Sequence, residues 1–100
     1  MARFDVHRCR RPGVPYLLDN QADFLAGLPT RLVIPLLPAT AITPPIDRLH
    51  LPMSIERRDL VLAVNLLASV RRQELGELVT SLEDHRSEII AAVDFLQQGF

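Results

Sequence analysis

Apolar residues recur with a helical period near the end of the chain. Between residues 82 and 100, Leu82, Ile89, Val93 and Leu96 follow one another at spacings of seven, four and three. These spacings place the four side chains on one side of a helix with 3.6 residues per turn. We expect that side to face the core.

Both ends of this helix are marked in the sequence. Ser81 is followed by Glu83 and Asp84, and a hydroxyl next to carboxylates satisfies the unpaired N–H groups of a first helical turn. Gly99 is a natural stop, because glycine adopts the left-handed C-terminal conformation without steric cost. The sequence therefore predicts a helix that begins near Leu82 and stops at Gly99.

The first sixty residues predict strands. Apolar and polar residues alternate from Phe4 to His7, which is typical of a half-buried strand, with His7 at the surface. Three more segments are expected to be extended: residues 16–18, 32–37 and 50–55. Within the second of these, Pro35 requires a bulge or an edge, where no ladder N–H is needed. Turns or irregular segments are expected elsewhere: residues 8–15, 21–29, 40–52 and 56–59.

Residues 60–78 allow two predictions. The spacing of Leu60, Val64, Leu67 and Val70 suits a helix, as do the many leucine and alanine residues. Residues 60–64 could equally form a strand that is buried on both faces. Periodicity cannot decide between a helix and a strand for a short apolar run, so both remain open at this point.

Composition mainly excludes classes of function. A chain of 100 residues predicts one domain, residues 1–100. The net charge of −1 gives no overall field that would attract nucleic acid, and the single cysteine excludes an intrachain disulfide. No signal peptide and no apolar run long enough to span a bilayer is recognised. We expect a cytoplasmic protein without a cofactor, and its 48% hydrophobic residues suggest a partner that covers apolar surface.

Motifs for catalysis or metal binding are missing from the sequence. It contains no GxGxxG, no GxxxxGK[ST], no HExxH and no CxxC. His85 and Glu88 are three residues apart on the predicted helix and could share a metal, but two ligands are too few. His50 with Asp47 is an equally weak pair. We therefore predict no catalytic residue and no metal site.

A basic segment follows the first predicted strand. Arg8, Arg10 and Arg11 surround Cys9, and arginines can bind phosphates or a partner rich in carboxylates. A solvated loop with an inert, reduced thiol is the simpler interpretation. If this segment binds a partner, Arg8, Arg10 and Arg11 are the residues expected to do so.

An ordered series of short matches resembles the CcdB toxin family. Residues 19–37 read D-N-Q-A-D-F-L-A-G-L-P-T-R-L-V-I-P-L-L, which is similar to the D-x-Q-[SA]-D segment and the R-x-V-I-P-L strand of that family. The later matches are A-S-V at residues 68–70, L-x-x-x-R-x-x-I at residues 82–89, and the closing pair Gly99-Phe100. Together they cover nearly the whole chain, and their order is more specific than any one match.

The resemblance implies a fold. CcdB-like proteins are α+β, mainly β: a twisted antiparallel sheet forms a small SH3-like barrel of the CcdB/MazF type, with one C-terminal helix and an obligate two-fold homodimer. The family has strands at residues 60–64 and at about 70–76. Tertiary context would then override the local helix propensity of this region.

The resemblance also implies a function. CcdB-like toxins of type II toxin-antitoxin systems bind the DNA gyrase A subunit through the ends of their C-terminal helices, and they trap cleaved DNA without covalent chemistry of their own. A CcdA-like antitoxin, disordered in part until it binds, neutralises the toxin, and the complex represses their shared promoter. DNA is then contacted only through this complex. Arg8, Arg10 and Arg11 are the residues that we expect to bind the antitoxin. The gyrase-facing residues carried over to this sequence are Phe24, Leu25, Asp94, Gln97, Gln98, Gly99 and Phe100.

Two alternatives accompany this hypothesis. An endoribonuclease of the MazF type shares the architecture and needs a basic and a hydroxyl-bearing residue near the scissile phosphate, for which Thr30 and Arg31 are the candidates. Because Arg31 belongs to the CcdB-like strand signature, we interpret it first as structural. The best-known family members carry Phe-Trp where this chain has Gln97-Gln98, which makes a toxin that binds only its antitoxin the third possibility.

Overall fold

The computed structural model describes residues 2–42 and 44–99. Within them the chain forms seven strands and one α-helix: β1 Asp5–Cys9, β2 Tyr16–Asp19, β3 Thr30–Pro38, β4 His50–Ile55, β5 Arg58–Ala63, β6 Ala68–Arg71, β7 Leu75–Ser81 and α1 Arg86–Gln98. The strands pair antiparallel in the order β4-β5-β3-β2-β1-β7, and β6 pairs with β3. The expected mainly β fold with one C-terminal helix is confirmed.

Short 3₁₀ turns join several of these elements: Asp23–Leu25, Ala39–Ala41, Val64–Leu66, Arg72–Glu74 and Glu83–His85. The first of them lies in the segment predicted to be irregular. The described part of the chain contains no helix that is long and apolar enough to cross a membrane.

The ambiguous residues 60–78 form strands and not a helix. β5 lies between β4 and β3, so both of its backbone edges are hydrogen-bonded. The strand implied at residues 60–64 is confirmed, although β5 begins two residues earlier and ends at Ala63. The strand implied at about 70–76 is two strands, since the 3₁₀ turn Arg72–Glu74 separates β6 from β7.

Pro35 lies where one edge of β3 changes its pairing from β6 to β5. On one side β3 pairs with β2. On the other side residues 30–33 pair with β6 and residues 36–38 pair with β5. Because Pro35 faces neither β6 nor β5, its missing N–H removes no ladder bond on that side. The predicted bulge is absent, because Pro35 pairs with Leu17 of β2 in an unbroken register, and only the side between β6 and β5 is without a strand partner at this residue.

The core lies between α1 and one face of the sheet. Ile89 and Ala92 of the helix pack there with buried sheet residues such as Val6, Leu18 and Leu62. Leu82 and Ile89 are buried as predicted. Leu96 is 37% exposed, so its predicted burial is wrong: it lies in the last turn of α1, and the buried stripe of the helix passes through Ala92.

The two helix ends differ in how well they were predicted. The Ser81 hydroxyl accepts the N–H of Glu83 at 3.1 Å, but this cap serves the 3₁₀ turn Glu83–His85, and α1 begins only at Arg86. The predicted start near Leu82 is therefore wrong by four residues. The predicted stop is confirmed, since Gly99 has φ of 81° and its N–H donates to the carbonyl of Phe95 at 2.8 Å.

Two predictions for the first strand are wrong. Arg8 and Cys9 continue β1, so the turn begins after them. His7 is only 5% exposed, because β1 lies between β2 and β7 and places His7 opposite Leu17 and Leu78. The His7 Nδ1 atom donates to the carbonyl of Gly76 at 3.1 Å, which gives this histidine a structural role.

The hairpin of β4 and β5 carries backbone strain. Ile55 pairs with Arg58, and the two residues between them, Glu56 and Arg57, have φ of 50° and 64°. Two-residue hairpins favour asparagine and glycine at these left-handed positions, and a left-handed L-residue costs about 1–2 kcal/mol.

Arg57→Gly should stabilise the protein by about 0.5–1 kcal/mol, the relief of that strain less the extra chain entropy of glycine. Thermal unfolding of the purified variant measures the change. Arg57→Ala is the matched control: it removes the same exposed side chain without relieving the strain, and it should not stabilise. Equal gains in both variants would refute the strain argument.

Candidate functional site

The loop between β2 and β3 presents an aromatic side chain to solvent. Phe24 is 95% exposed, and Leu25 and Leu28 on the same loop are exposed as well. We call residues 22–29 the Phe24 loop. A large ring left almost wholly in water gives up the stabilisation of burial, and neighbouring exposed apolar side chains are typical of a binding surface.

Gln21 holds the Phe24 loop from within. Its backbone N–H donates to Asp19 Oδ1 at 3.0 Å, its side-chain oxygen accepts the N–H of Leu32 at 3.0 Å, and its amide nitrogen donates to the carbonyl of Leu25 at 2.7 Å. Gln21 is buried, so water does not compete for these bonds. The glutamine of the D-x-Q segment therefore acts as an internal brace.

Neighbouring segments hold the loop from outside. Asp23 Oδ1 accepts the N–H of Arg3 at 2.8 Å. The backbone N–H of Arg72 donates to the carbonyl of Pro29 at 3.2 Å, and its side chain donates to the carbonyl of Ala26 at 3.4 Å. A ring on a loop tied at several points loses less entropy when it binds a partner.

A buried ion pair lies beneath this loop. Asp19 and Arg31 are both 0% exposed, and Asp19 Oδ2 accepts hydrogen bonds from Arg31 Nε, at 3.1 Å, and from Arg31 Nη2. Thr30 is half-buried. The guanidinium that the endoribonuclease alternative requires at the surface is thus enclosed in the protein, and the structural interpretation of Arg31 is confirmed.

The end of α1 forms a second exposed group. Asp94, Gln97, Gln98 and Gly99 all lie exposed in or directly after its last two turns. We call residues 97–99 the helix tip. Phe100, also predicted to contact gyrase, lies outside the described residues. The tip offers side-chain amides and an accessible glycine backbone, both of which form hydrogen bonds.

The structure therefore arranges the predicted gyrase-facing residues as two separate groups. Phe24 and Leu25 share the Phe24 loop, and the helical residues share the tip. The Phe24 loop is linked to the start of α1 through Arg3, whose N–H donates to Asp23 of the loop. The guanidinium groups of Arg3 and Arg86 both lie over the Phe4 ring, and Arg86 is the first residue of α1. Near the other end of α1, the Arg48 guanidinium lies 4.0 Å from the centre of the Phe95 ring, two residues before the tip.

The basic segment is largely neutralised within the chain. Arg8 pairs with Glu56 at 2.8 Å, and Arg11 pairs with Glu74 at 2.7 Å. Arg10 is exposed and has no ion pair among the described residues. Of the three arginines assigned to an antitoxin, Arg10 is the one whose charge is most available.

Glu56 connects the β4–β5 hairpin to the start of the sheet. The hydroxyl of Tyr16 and the guanidinium of Arg8 both donate to its carboxylate. The hydrogen bond from Tyr16, followed by that from Arg8, lowers the pKa of Glu56 below its usual 4.5. Arg8 and Arg58 also lie near the Tyr16 ring, at 5.9 and 5.8 Å from its centre.

This lowered pKa predicts a pH dependence of stability. The ionised carboxylate stabilises the fold above pH 4.5, and that contribution is lost as the pH falls through the lower, folded-state pKa. Glu56→Gln should therefore be less stable than the unmodified protein at neutral pH, and the difference should shrink at more acidic pH. Urea unfolding from pH 7 to pH 3 measures it, and a difference that stays constant with pH would contradict the assignment.

The histidine pairs considered as metal ligands have other roles. His50 Nδ1 accepts the N–H of Ile46 at 2.6 Å, and its Nε2 donates to the side-chain oxygen of Asn65 at 3.0 Å. His85, half-buried at the end of the 3₁₀ turn before α1, has its Nδ1 atom 3.3 Å from Oε1 of the exposed Glu88. Among the described residues, no group of three potential ligands could hold a metal ion.

A family comparison matches residues 3–99 to the model described as CcdB protein. The match includes the Phe24 loop, the Asp19–Arg31 pair and Gly99. This chain belongs to the CcdB family. No curated protein sequence matches it significantly. Membership of the CcdB family supports a toxin as the class of function.

Solved structures similar to this CcdB family member include a toxin and endoribonucleases. An endoribonuclease from a mycobacterial species has a TM-score of 0.77 at 15% identity, over 97% of this chain and 90% of that one. An endoribonuclease in complex with its cognate antitoxin, also mycobacterial, has a TM-score of 0.76 at 14% identity, over 97% and 94%. The Mycobacterium tuberculosis toxin MazF-mt6 has a TM-score of 0.77 at 11% identity, over 93% and 95%.

These likenesses confirm the expected mainly β fold of the CcdB/MazF type, a curled antiparallel half-barrel sheet with one C-terminal helix. At identities of 11–15% they establish the fold alone, because one fold supports unrelated activities. Function must therefore be argued from the Phe24 loop and the helix tip.

Proposed function

We propose that this protein is the toxin of a type II toxin-antitoxin system that binds the DNA gyrase A subunit and traps the gyrase–DNA cleavage complex. The observation that carries the proposal is the exposure of Phe24 on a braced loop. Phe24 is one of the residues that the CcdB resemblance predicts to contact gyrase. Membership of the CcdB family supports the same target.

Binding alone is sufficient for this function. A trapped cleavage complex requires a partner that favours one state of gyrase, and differential binding can supply that preference without a reactive group. The Phe24 loop contributes apolar area, and the helix tip contributes the side-chain amides of Gln97 and Gln98 and the carbonyl of Gly99 as hydrogen-bonding groups. We infer that the protein is not an enzyme, and the burial of Arg31 argues against the Thr30 and Arg31 pair as a nuclease site.

We also propose a homodimer. Leu66 and Leu96 are exposed on the turn Val64–Leu66 and on α1, two elements that pack against each other. A second copy could cover this apolar surface. Two copies would present two helix tips and two Phe24 loops to gyrase, as the CcdB resemblance implies.

The proposed neutralising partner is a CcdA-like antitoxin. A similar fold has been solved as an endoribonuclease with its cognate antitoxin, which supports an antitoxin for this chain too. Arg10 is the exposed cation of the basic segment and would attract an acidic stretch of such a partner. We propose that the complex represses the shared operon, that it contacts DNA through the antitoxin, and that the toxin acts in the cytoplasm, where gyrase works.

Pull-down with purified gyrase A tests the proposal. The unmodified protein should retain gyrase A, whereas Gly99→Glu and a chain that ends at Gln98 should not, since both alter the tip beyond α1. Circular dichroism and size-exclusion chromatography should show that both variants stay folded and keep the same assembly. If all three proteins retain gyrase A equally, the helix tip is not part of the binding site. If none of them retains gyrase A, gyrase A is not the target.

A further inference from the structure

The end of α1 is held by a stacked arginine. The Arg48 guanidinium lies 4.0 Å from the centre of the Phe95 ring, whereas the other arginine–ring pairs of the described residues lie at 4.9–5.9 Å. Phe95 is three residues before the last residue of α1, and its carbonyl accepts the Gly99 N–H that ends the helix. Arg48 therefore contacts the residue on which the helix tip depends.

Arg48 has an unusual backbone conformation. Its φ is 70°, a left-handed value that is strained for an L-residue. Such a conformation persists only where the surrounding structure determines it, and it often marks a functional position. Here the N–H groups of Leu49 and His50 both donate to the carbonyl of Ile46, at 3.2 and 3.0 Å, which closes a tight turn around Arg48.

The turn is also tied to the support of the helix. The His50 ring joins the Ile46 N–H to the Asn65 side chain, and the N–H of Val64 donates to the carbonyl of Leu49 at 3.0 Å. Val64 and Asn65 belong to the 3₁₀ turn that packs against α1. The arginine, its turn and the helix are thus parts of one connected structure.

We propose that Arg48 is a positioning residue that fixes the direction and order of the helix tip by stacking on Phe95. Among the described residues, no side-chain hydrogen bond or ion pair holds residues 97–99, and the end of a helix frays unless it is tied down. Arg48 does not need to touch gyrase. The consequence for gyrase binding rests on the proposed function, whereas the ordering of the tip does not.

Hydrogen exchange of the backbone amides at residues 95–99 is the first test. Arg48→Ala should raise exchange there by about two- to fivefold, the range that corresponds to a cation–π pair at an exposed site such as Arg48. Arg57→Ala is the matched control, because Arg57 is also an arginine with positive φ but lies on the β4–β5 hairpin, and it should leave these amides unchanged. Unchanged exchange in Arg48→Ala would overturn the proposal.

A second variant separates the stack from the strained backbone. Phe95→Leu removes the ring while it keeps an apolar side chain, and it should raise exchange at residues 95–99 as Arg48→Ala does. The double variant should exchange no faster than either single variant, because both remove the same contact. Additive effects would refute the stack as the cause.

Affinity for purified gyrase A then tests the consequence. Arg48→Ala should weaken binding by about two- to fivefold, in proportion to the lost order of the tip, and Arg48→Lys should fall between it and the unmodified protein because lysine lacks the planar group. Weaker binding with unchanged exchange would mean that Arg48 contacts gyrase directly, which refutes positioning. If the unmodified protein does not bind gyrase A, the proposed function fails while the exchange result still decides the role of Arg48.

Discussion

Asp19→Ala should destabilise the protein by about 3–5 kcal/mol, the usual cost of breaking a buried ion pair by removing one partner. The reason is that the Arg31 guanidinium, 0% exposed, would remain charged in the interior without its carboxylate. The N–H of Gln21 would lose its acceptor as well. For a domain of 100 residues, this lowers the melting temperature by at least about 12 °C.

Urea unfolding followed by circular dichroism measures the effect. Asp84→Ala serves as the control, because it removes the same group at an exposed position before α1, and it should change stability by less than about 0.5 kcal/mol. A loss for Asp19→Ala as small as that of the control would mean that the buried pair does not stabilise the fold.

Phe24→Ser should weaken binding to gyrase A by at least about 30-fold, since truncation of an aromatic hot spot costs about 2 kcal/mol or more. Stability should hardly change, because the ring is 95% exposed and packs against nothing that unfolding would release. The combination of lost affinity and retained stability distinguishes a binding residue from a structural one. Calorimetric titration with gyrase A and thermal unfolding measure the two quantities.

Leu78→Ser is the matched control for this experiment. Leu78 is also an exposed apolar residue, but it lies on β7, outside the Phe24 loop and the helix tip. It should bind gyrase A as the unmodified protein does. If Phe24→Ser binds gyrase A with unchanged affinity, whether or not Leu78→Ser loses affinity, the Phe24 loop is not part of the gyrase-binding site.

Features that depend on local sterics could be predicted from the sequence. Pro35 cannot donate to a ladder, and it lies where β3 changes partners. Gly99 ends α1 in the left-handed conformation that glycine favours. In both cases the side chain, or its absence, restricts the backbone directly, so neighbouring strands did not need to be known.

Residues 60–78 show why other elements could not be predicted locally. Leu60, Val64, Leu67 and Val70 have a helical spacing, but β5 is stabilised by its pairing with β4 and β3. β4 precedes β5 directly as a hairpin, but β3 ends 20 residues before β5 begins, so no short window contains the pairing that decides between strand and helix. The ordered CcdB-like matches supplied that information, because they imply the pairing of the whole sheet.

The candidate site was predicted only in part. The resemblance named Phe24, but the loop that exposes it is held by the hydrogen bonds that Gln21 accepts from the Leu32 N–H and donates to the Leu25 carbonyl, which no periodicity reveals. The stack of Arg48 on Phe95 was missed for a similar reason. The two residues are far apart in sequence, and nothing in the dipeptide Arg48-Leu49 predicts the positive φ of Arg48. His7 was misjudged because its burial depends on both neighbouring strands.

Incubation of the purified protein with gyrase, supercoiled DNA and ATP most directly tests the central claim that the protein acts by binding gyrase and performs no chemistry. Denaturation with detergent should release DNA cleaved by gyrase when the unmodified protein is present, and much less with Phe24→Ser or with the chain that ends at Gln98. RNA incubated with the same protein should stay intact. Cleaved RNA together with undisturbed gyrase would contradict the account and favour the endoribonuclease alternative.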